Sequence, residues 1–160
     1  MHFFVKATSA PTQRSNNVHY AAIYLAVFFV VTAFAQLFSF EDFPGHIKSF
    51  GFPIDSLFAP FIAALVVTFE VFSIPFYLRM RISPLMRLVS IASGWIILVW
   101  WLVVGIWQSM VDFKIPNSGL FGSDISIPSG WWMVSFLCAL LILNTYVLWG
   151  TRLSGHLRRK

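Results

Sequence analysis

The sequence predicts an all-α integral membrane protein: a four-transmembrane-helix bundle with a short amphipathic surface helix after the first span. Three observations predict it. The 160 residues are 58% hydrophobic and only 11% charged, whereas a soluble domain carries about 25% charged residues. The apolar residues gather into four runs, near Tyr20–Phe40, Leu57–Leu78, Leu88–Trp107 and Trp131–Trp149. Each run is about long enough to cross ~30 Å of hydrocarbon at ~1.5 Å per residue. Inside the runs only Glu70 is fully charged. Lipid offers no partners to open backbone groups, and the runs lack the alternation of barrel strands, so the spans are helices.

Residues 1–17 are polar and read as an amino-terminal tail. Arg14, the apolar run after it and Ala33-Phe34-Ala35 imitate a signal peptide with its cleavage site. The run is long for such a segment, and it is expected to be the first membrane helix. In the first connection, EDFPGHIKSFG, Asp42 is placed to cap a helix, Pro44 suits its first turn and Gly51 its end. Phe43, Ile47 and Phe50 share one helical face, which predicts the surface helix. Phe52-Pro53 then turns the chain into the second span.

Arg79 to Pro84 is too short for anything but a tight turn between antiparallel neighbours. The third connection, Gln108 to Gly130, holds Pro116, Pro128, Gly119 and Gly122 without helical periodicity. The fourth span closes the transmembrane domain, 18–150, before a basic tail at 151–160. Tyr20, Tyr77 and Trp149 at one set of helix ends, and Trp107, Trp131 and Trp132 at the other, form the expected aromatic belts. Ala22/Ala26 and Ser90/Gly94 supply small residues where helices can approach closely.

Charge sets the orientation. Nine Lys/Arg (Lys6, Arg14, Arg79, Arg81, Arg87, Arg152, Arg158, Arg159, Lys160) fall on one side and two (Lys48, Lys114) on the other. The positive side is expected to be cytoplasmic, with both termini inside and the third connection outside. The basic tail reads as a topology signal and lipid contact rather than a nucleic-acid arm.

The chemistry is sparse. His2, His19, His46 and His156 lie outside the spans, so neither haem nor a metal site is expected, and the histidines read as surface residues. Cys138, alone in the fourth span, reads as a small buried hydrophobe. Glu70 is the sharpest signal, because an ionisable group at membrane depth is costly and needs a partner or a function. Its expected partners are polar groups of the cytoplasmic half, Ser93 or Asn144 foremost, then Ser90 and Thr145. Gln36 is a weaker case near the opposite end of the first span. Pro75 is expected to bend the helix after Glu70. Trp95, Trp100, Trp101 and Trp107 offer contact to a quinone or pigment, although lipid and neighbouring subunits use such residues as readily. The loop NSGLFGSDIS, Asn117 to Ser126, is expected to be ordered: Gly119 and Gly122 for positive φ, Leu120 and Phe121 in an apolar seat, and Ser118, Ser123 and Asp124 on backbone donors. It would dock a partner or cap the bundle.

From about Ala33 to Trp149 the chain resembles the DoxX/MauE-like family of four-helix membrane proteins. AQLFSFEDFPGHIKSFGFP resembles the family's exit from the first helix, VVTFEVFSIPFYL its glutamate-bearing helix, and SGLFG, Ser118 to Gly122, the CGCFG segment of the MauE-like branch. The chain departs from it in two places. Gln36 stands where the DoxX branch often has lysine, and Ser118 and Leu120 stand at the two motif cysteines. The resemblance thus implies the scaffold without its dithiol. With the aromatic surface, it implies an accessory, non-catalytic subunit of a larger redox or energy-converting complex of the bacterial inner membrane. Membrane lipids and other integral membrane subunits are the expected partners. The alternatives are a quinone-linked oxidoreductase using Glu70 as proton donor, and a small transporter.

Overall fold

The computed structural model describes residues 15–51, 58–111 and 117–156, with side chains as far as Thr151. The amino-terminal tail, the Phe52-Pro53 turn, Lys114, Pro116 and the end of the basic tail lie outside the described residues. The chain forms α1 (Asn16–Phe38), α2 (Phe43–Ser49), α3 (Ala59–Tyr77), α4 (Pro84–Met110) and α5 (Trp131–His156), with no strand among the described residues. Four of these are long and apolar enough to cross a membrane: α1, α3, α4 and, over Trp131–Thr151, α5. All four predicted spans are present. Helix α5 runs past residue 150, so the basic tail begins as a helical extension.

Local chemistry explains the ends. Ser15 caps α1 by accepting from the Val18 N–H, and Ser83 caps α4 by accepting from Met86, with Pro84 in the first turn. Asp42 does not cap α2 with its side chain. Its own backbone is already helical (φ −93°, ψ −19°), and a capping carboxylate needs an extended residue. The turn from α1 is held by Ser39, whose carbonyl accepts from the N–H groups of Asp42 and Phe43. Gly51 ends α2 at φ 71° as expected. At the end of α3 the Met80 N–H reaches the Pro75 carbonyl and the Arg79 N–H reaches Phe76. This is a left-handed helix stop with Arg79, at φ 58°, where glycine is usual.

The four long helices form a closed ring. α3 lies between α1 and α4, and α5 closes the ring between α4 and α1, while α2 packs on α3. Phe43, Ile47 and Phe50 of α2 are all buried against the bundle. Helices α1 and α3 are staggered. Phe29 stacks on Tyr77 at 5.6 Å, and seven residues along each helix Gln36 meets Glu70. Beyond that level α1 has two residues left and α3 has eleven, so α3 projects past α1 by roughly 13 Å at ~1.5 Å per residue. Helix α2 covers this projecting stretch. The end of the bundle that carries α2 is called the cap end below.

At the opposite end α3 meets α4 through small and polar groups. Pro75 removes one donor from α3, yet the helix continues to Tyr77. Ser90 of α4 inserts its hydroxyl there, accepting from the Phe76 N–H at 3.0 Å and donating to the Ser73 carbonyl at 3.0 Å. Tyr77 lies over Gly94 and donates to Asn144 Oδ1 of α5 at 2.8 Å, which ties α3, α4 and α5 together. A Cβ on Gly94 would sit 2.5 Å from the Tyr77 hydroxyl. Gly94→Ala should therefore destabilise the bundle by about 1–3 kcal/mol, the usual cost of overpacking. Tyr77→Phe in the same chain should relieve part of that loss. Thermal unfolding of the purified protein in detergent measures both. A Gly94→Ala protein as stable as the parent would mean that the helices do not approach here.

Candidate functional site: a buried carboxyl under a cap loop

Glu70 projects from the middle of α3 into the ring and is 1% exposed. Its Oε1 accepts two hydrogen bonds from neutral donors, Gln36 Nε2 of α1 at 3.0 Å and Trp101 Nε1 of α4 at 3.2 Å. Thr32, one turn before Gln36 on α1, is also fully buried, with its hydroxyl turned to the carbonyls of Phe28 and Phe29. Glu70 thus faces the interior as expected, but with other partners. Asn144 is occupied by Tyr77, and Ser93 lies beside Gly94 in that same layer. Ser90 bonds the Phe76 N–H and the Ser73 carbonyl of α3, and Thr145 donates to the Leu141 carbonyl of its own helix. The stagger is the reason: it brings the last turn of α1 level with the middle of α3, so the amide assigned to a different depth is the one that arrives.

Gln36 has a second role. An amide nitrogen carries two hydrogens, and the other one donates to the Leu120 carbonyl at 3.0 Å. The loop at 117–123 folds down onto the carboxyl. Leu120 is 1% exposed and Ser118 is fully buried. The half-buried Phe121 meets Phe28 edge-on at 6.3 Å. Gly119 and Gly122 take φ 77° and 78°, as predicted. A Cβ on Gly119 would strike Phe50 of α2, and one on Gly122 would crowd Ser39 and the backbone of α1. The loop is thus a cap on the bundle.

The loop's backbone is what the helices grip. His46 of α2 holds the Asn117 carbonyl at 3.1 Å through Nε2, Gln108 of α4 the Ser118 carbonyl at 3.4 Å, and Gln36 of α1 the Leu120 carbonyl. Ser39 accepts from the Ser123 N–H at 3.1 Å. Inside the loop the work falls to Asn117: Oδ1 accepts from the Gly119 N–H, and Nδ2 donates to the carbonyls of Gly122 and Ser123. Ser118 and Ser123, expected in that role, have hydroxyls without a hydrogen-bond partner, and Asp124 is exposed. Asn117 serves because its planar amide bonds in both directions at once.

Three further expectations are corrected. His46 is a half-buried latch rather than a surface residue. Cys138 is exposed on the outer face of α5, because the buried stripe of that helix runs through Met133, Leu137 and Leu140 instead. The tryptophans divide: Trp101 points inward at 1% exposure, Trp107 donates to the Phe50 carbonyl of α2, and Trp95 and Trp100 line an outer groove with Ile96, Val99 and Val103. The signal for Trp101 was present in the sequence. Ser90, Ser93, Ile97, Trp101, Val104 and Gln108 recur at three- and four-residue steps, and all are buried.

Chemically the site is a carboxyl without access. Among the described residues, Glu70 Oε2 and Gln36 Oε1 are buried and without a hydrogen-bond partner, and the equally buried Leu120 is tied to Gln36 through its carbonyl. No group of three His, Cys, Asp or Glu among the described residues could hold a metal. Family models, curated proteins and solved structures were all compared with the chain, and none matches it.

The latch is pH-sensitive. Burial holds the His46 imidazole below its ordinary pKa of 6.5, against the opposing pull of the Asn117 carbonyl. The unfolded chain therefore binds a proton that the folded chain refuses. The stability contributed by the buried neutral ring, rather than by the bond to Asn117, is complete above about pH 6.5 and declines as the pH falls below it towards the folded value. Thermal unfolding in detergent should show this acid-side loss in the parent protein and not in His46→Gln. An equal slope in both would remove His46 as its source.

Proposed function

We propose that this chain is an accessory, non-catalytic integral membrane subunit of a larger redox or energy-converting complex of the bacterial inner membrane. The observation that carries the reading is the use made of the central polar groups. Gln36, Gln108 and His46 hold the loop carbonyls, and Glu70 is 1% exposed and joined to the loop through Gln36. A reactive centre needs an approach for its substrate, whereas a structural centre is served by being closed. The faces left for interaction are the outward ones. Trp131, Trp132, Ile142, Tyr146 and Trp149 of α5 are exposed, and only 28% of that span is buried within the chain. Such a face suits lipid or a neighbouring subunit. The class of complex comes from the resemblance of the glutamate-bearing helix and of SGLFG to DoxX/MauE-like proteins, an analogy of scaffold. In this reading both termini are cytoplasmic and the cap faces outward, following the nine-to-two Lys/Arg imbalance.

One observation favours a second reading. Glu70 Oε2 is unpartnered, as the proton donor of a quinone-linked oxidoreductase would have to be when its cap lifts. Gentle detergent extraction from native membranes, followed by mass spectrometry, separates the two. The accessory reading expects integral membrane proteins to travel with the chain in fixed proportion, and Glu70→Gln to assemble as the parent does, because an amide still accepts from Gln36 and Trp101. A chain that travels alone, with a quinone-dependent turnover abolished by Glu70→Gln, would replace it with the second reading.

A further inference from the structure

A slender apolar groove runs along the outer face of α1. Val30, Val31, Phe34, Ala35 and Phe38 form its floor, and Asp124 and Ile125 of the cap loop overhang it at the cap end. Its volume is about 360 Å³. From Val30 to Phe38 it extends eight residues, about 12 Å along the helix. Five apolar side chains of α1 in a row along this length suit a hydrocarbon chain lying along the helix.

The rim carries charge of one sign. Asp124 is exposed at the mouth. Glu41 and Asp42, also exposed, follow Phe38 within four residues, and the bond from the Ser123 N–H to Ser39 holds the Asp124 segment against that turn. The carboxyl-terminal end of α1 adds the negative pole of its dipole. An apolar slot with a negative mouth at headgroup level matches a lipid whose head bears an ammonium group, and disfavours one whose head is purely anionic.

We infer that this groove is a binding site for one acyl chain of an amine-headed phospholipid, with the ammonium group facing Asp124. The inference is independent of the function proposed above. Ser39 links it to the cap: its hydroxyl anchors the Ser123 N–H, and Ala35, which lines the groove, offers its carbonyl to that same hydroxyl at 3.1 Å. A lipid seated here would therefore brace the cap from outside.

Native mass spectrometry of the full chain in detergent tests the site, with phosphatidylethanolamine and phosphatidylglycerol of identical acyl chains as probes. The expected result is one retained phosphatidylethanolamine per chain, with about fivefold preference over phosphatidylglycerol, the size of effect one surface charge has near a headgroup. Asp124→Asn should erase the preference. Val31→Trp should fill the slot and release both lipids without altering thermal stability, because Val31 is 46% exposed on the outer face. Ile125→Trp should do the same from the other wall. Equal retention of the two lipids by the parent protein would overturn the inference. So would retention unchanged by both tryptophan variants, or a photo-crosslinker at Phe34 that captures a protein in native membranes in place of lipid.

Discussion

The amide of Gln36 is the junction on which the rest of the architecture depends. One of its hydrogens goes to Glu70 of α3 and the other to the Leu120 carbonyl of the cap. Two side chains and one carbonyl thereby connect α1, α3 and the loop between α4 and α5, and Trp101 adds α4 through the same carboxyl oxygen. The value of this arrangement is not the sum of its bonds. Interhelical hydrogen bonds between side chains in membranes average about 0.6 kcal/mol. A carboxyl left without partners at membrane depth costs several times that. The junction therefore acts chiefly by penalising every arrangement in which Gln36 and Trp101 do not reach Glu70. It selects one stagger of α1 against α3, and with it one seat for the cap.

The cap follows from the same logic. Its side chains contribute Leu120 and Phe121 to the core, but its position is set through its carbonyls, each held by a donor on a different helix. Backbone recognition requires Gly119 and Gly122 to keep their left-handed conformations and their close approach to α2 and α1. At the other end of the bundle Ser90, Gly94, Tyr77 and Asn144 form a second, independent tie. Helices α3 and α4 are thus pinned at two levels, while α5 presents most of its surface outward.

Much of the fold was legible in the sequence, and the reasons are physical. Spans depend on length and hydropathy, which a sequence carries directly, and the α2 face of Phe43, Ile47 and Phe50 is a matter of spacing. The two cap glycines were legible because positive φ is costly for any other residue. Partners were not legible. Depth counted from the helix ends points Ser93 and Asn144 at Glu70, but such counting requires neighbouring helices to end level. Helix α3 projects past α1, and that offset depends on α2 and the cap, both distant in sequence. The inward turn of Trp101 could have been found by following its three- and four-residue spacing from Ser90 to Gln108. His46 and Asn117 could not, since nothing in their local sequence sets a histidine of one connection against a carbonyl of another.

Gln36 seats the cap by bridging Glu70 and Leu120. The reactivity of Leu120→Cys towards a membrane-impermeant maleimide, in a chain with Cys138→Ser, measures this. The new cysteine should be protected while Gln36 is present, and become reactive when Gln36→Leu removes both hydrogen bonds. Equal reactivity of the cysteine with and without Gln36 would show that the cap is held by something else.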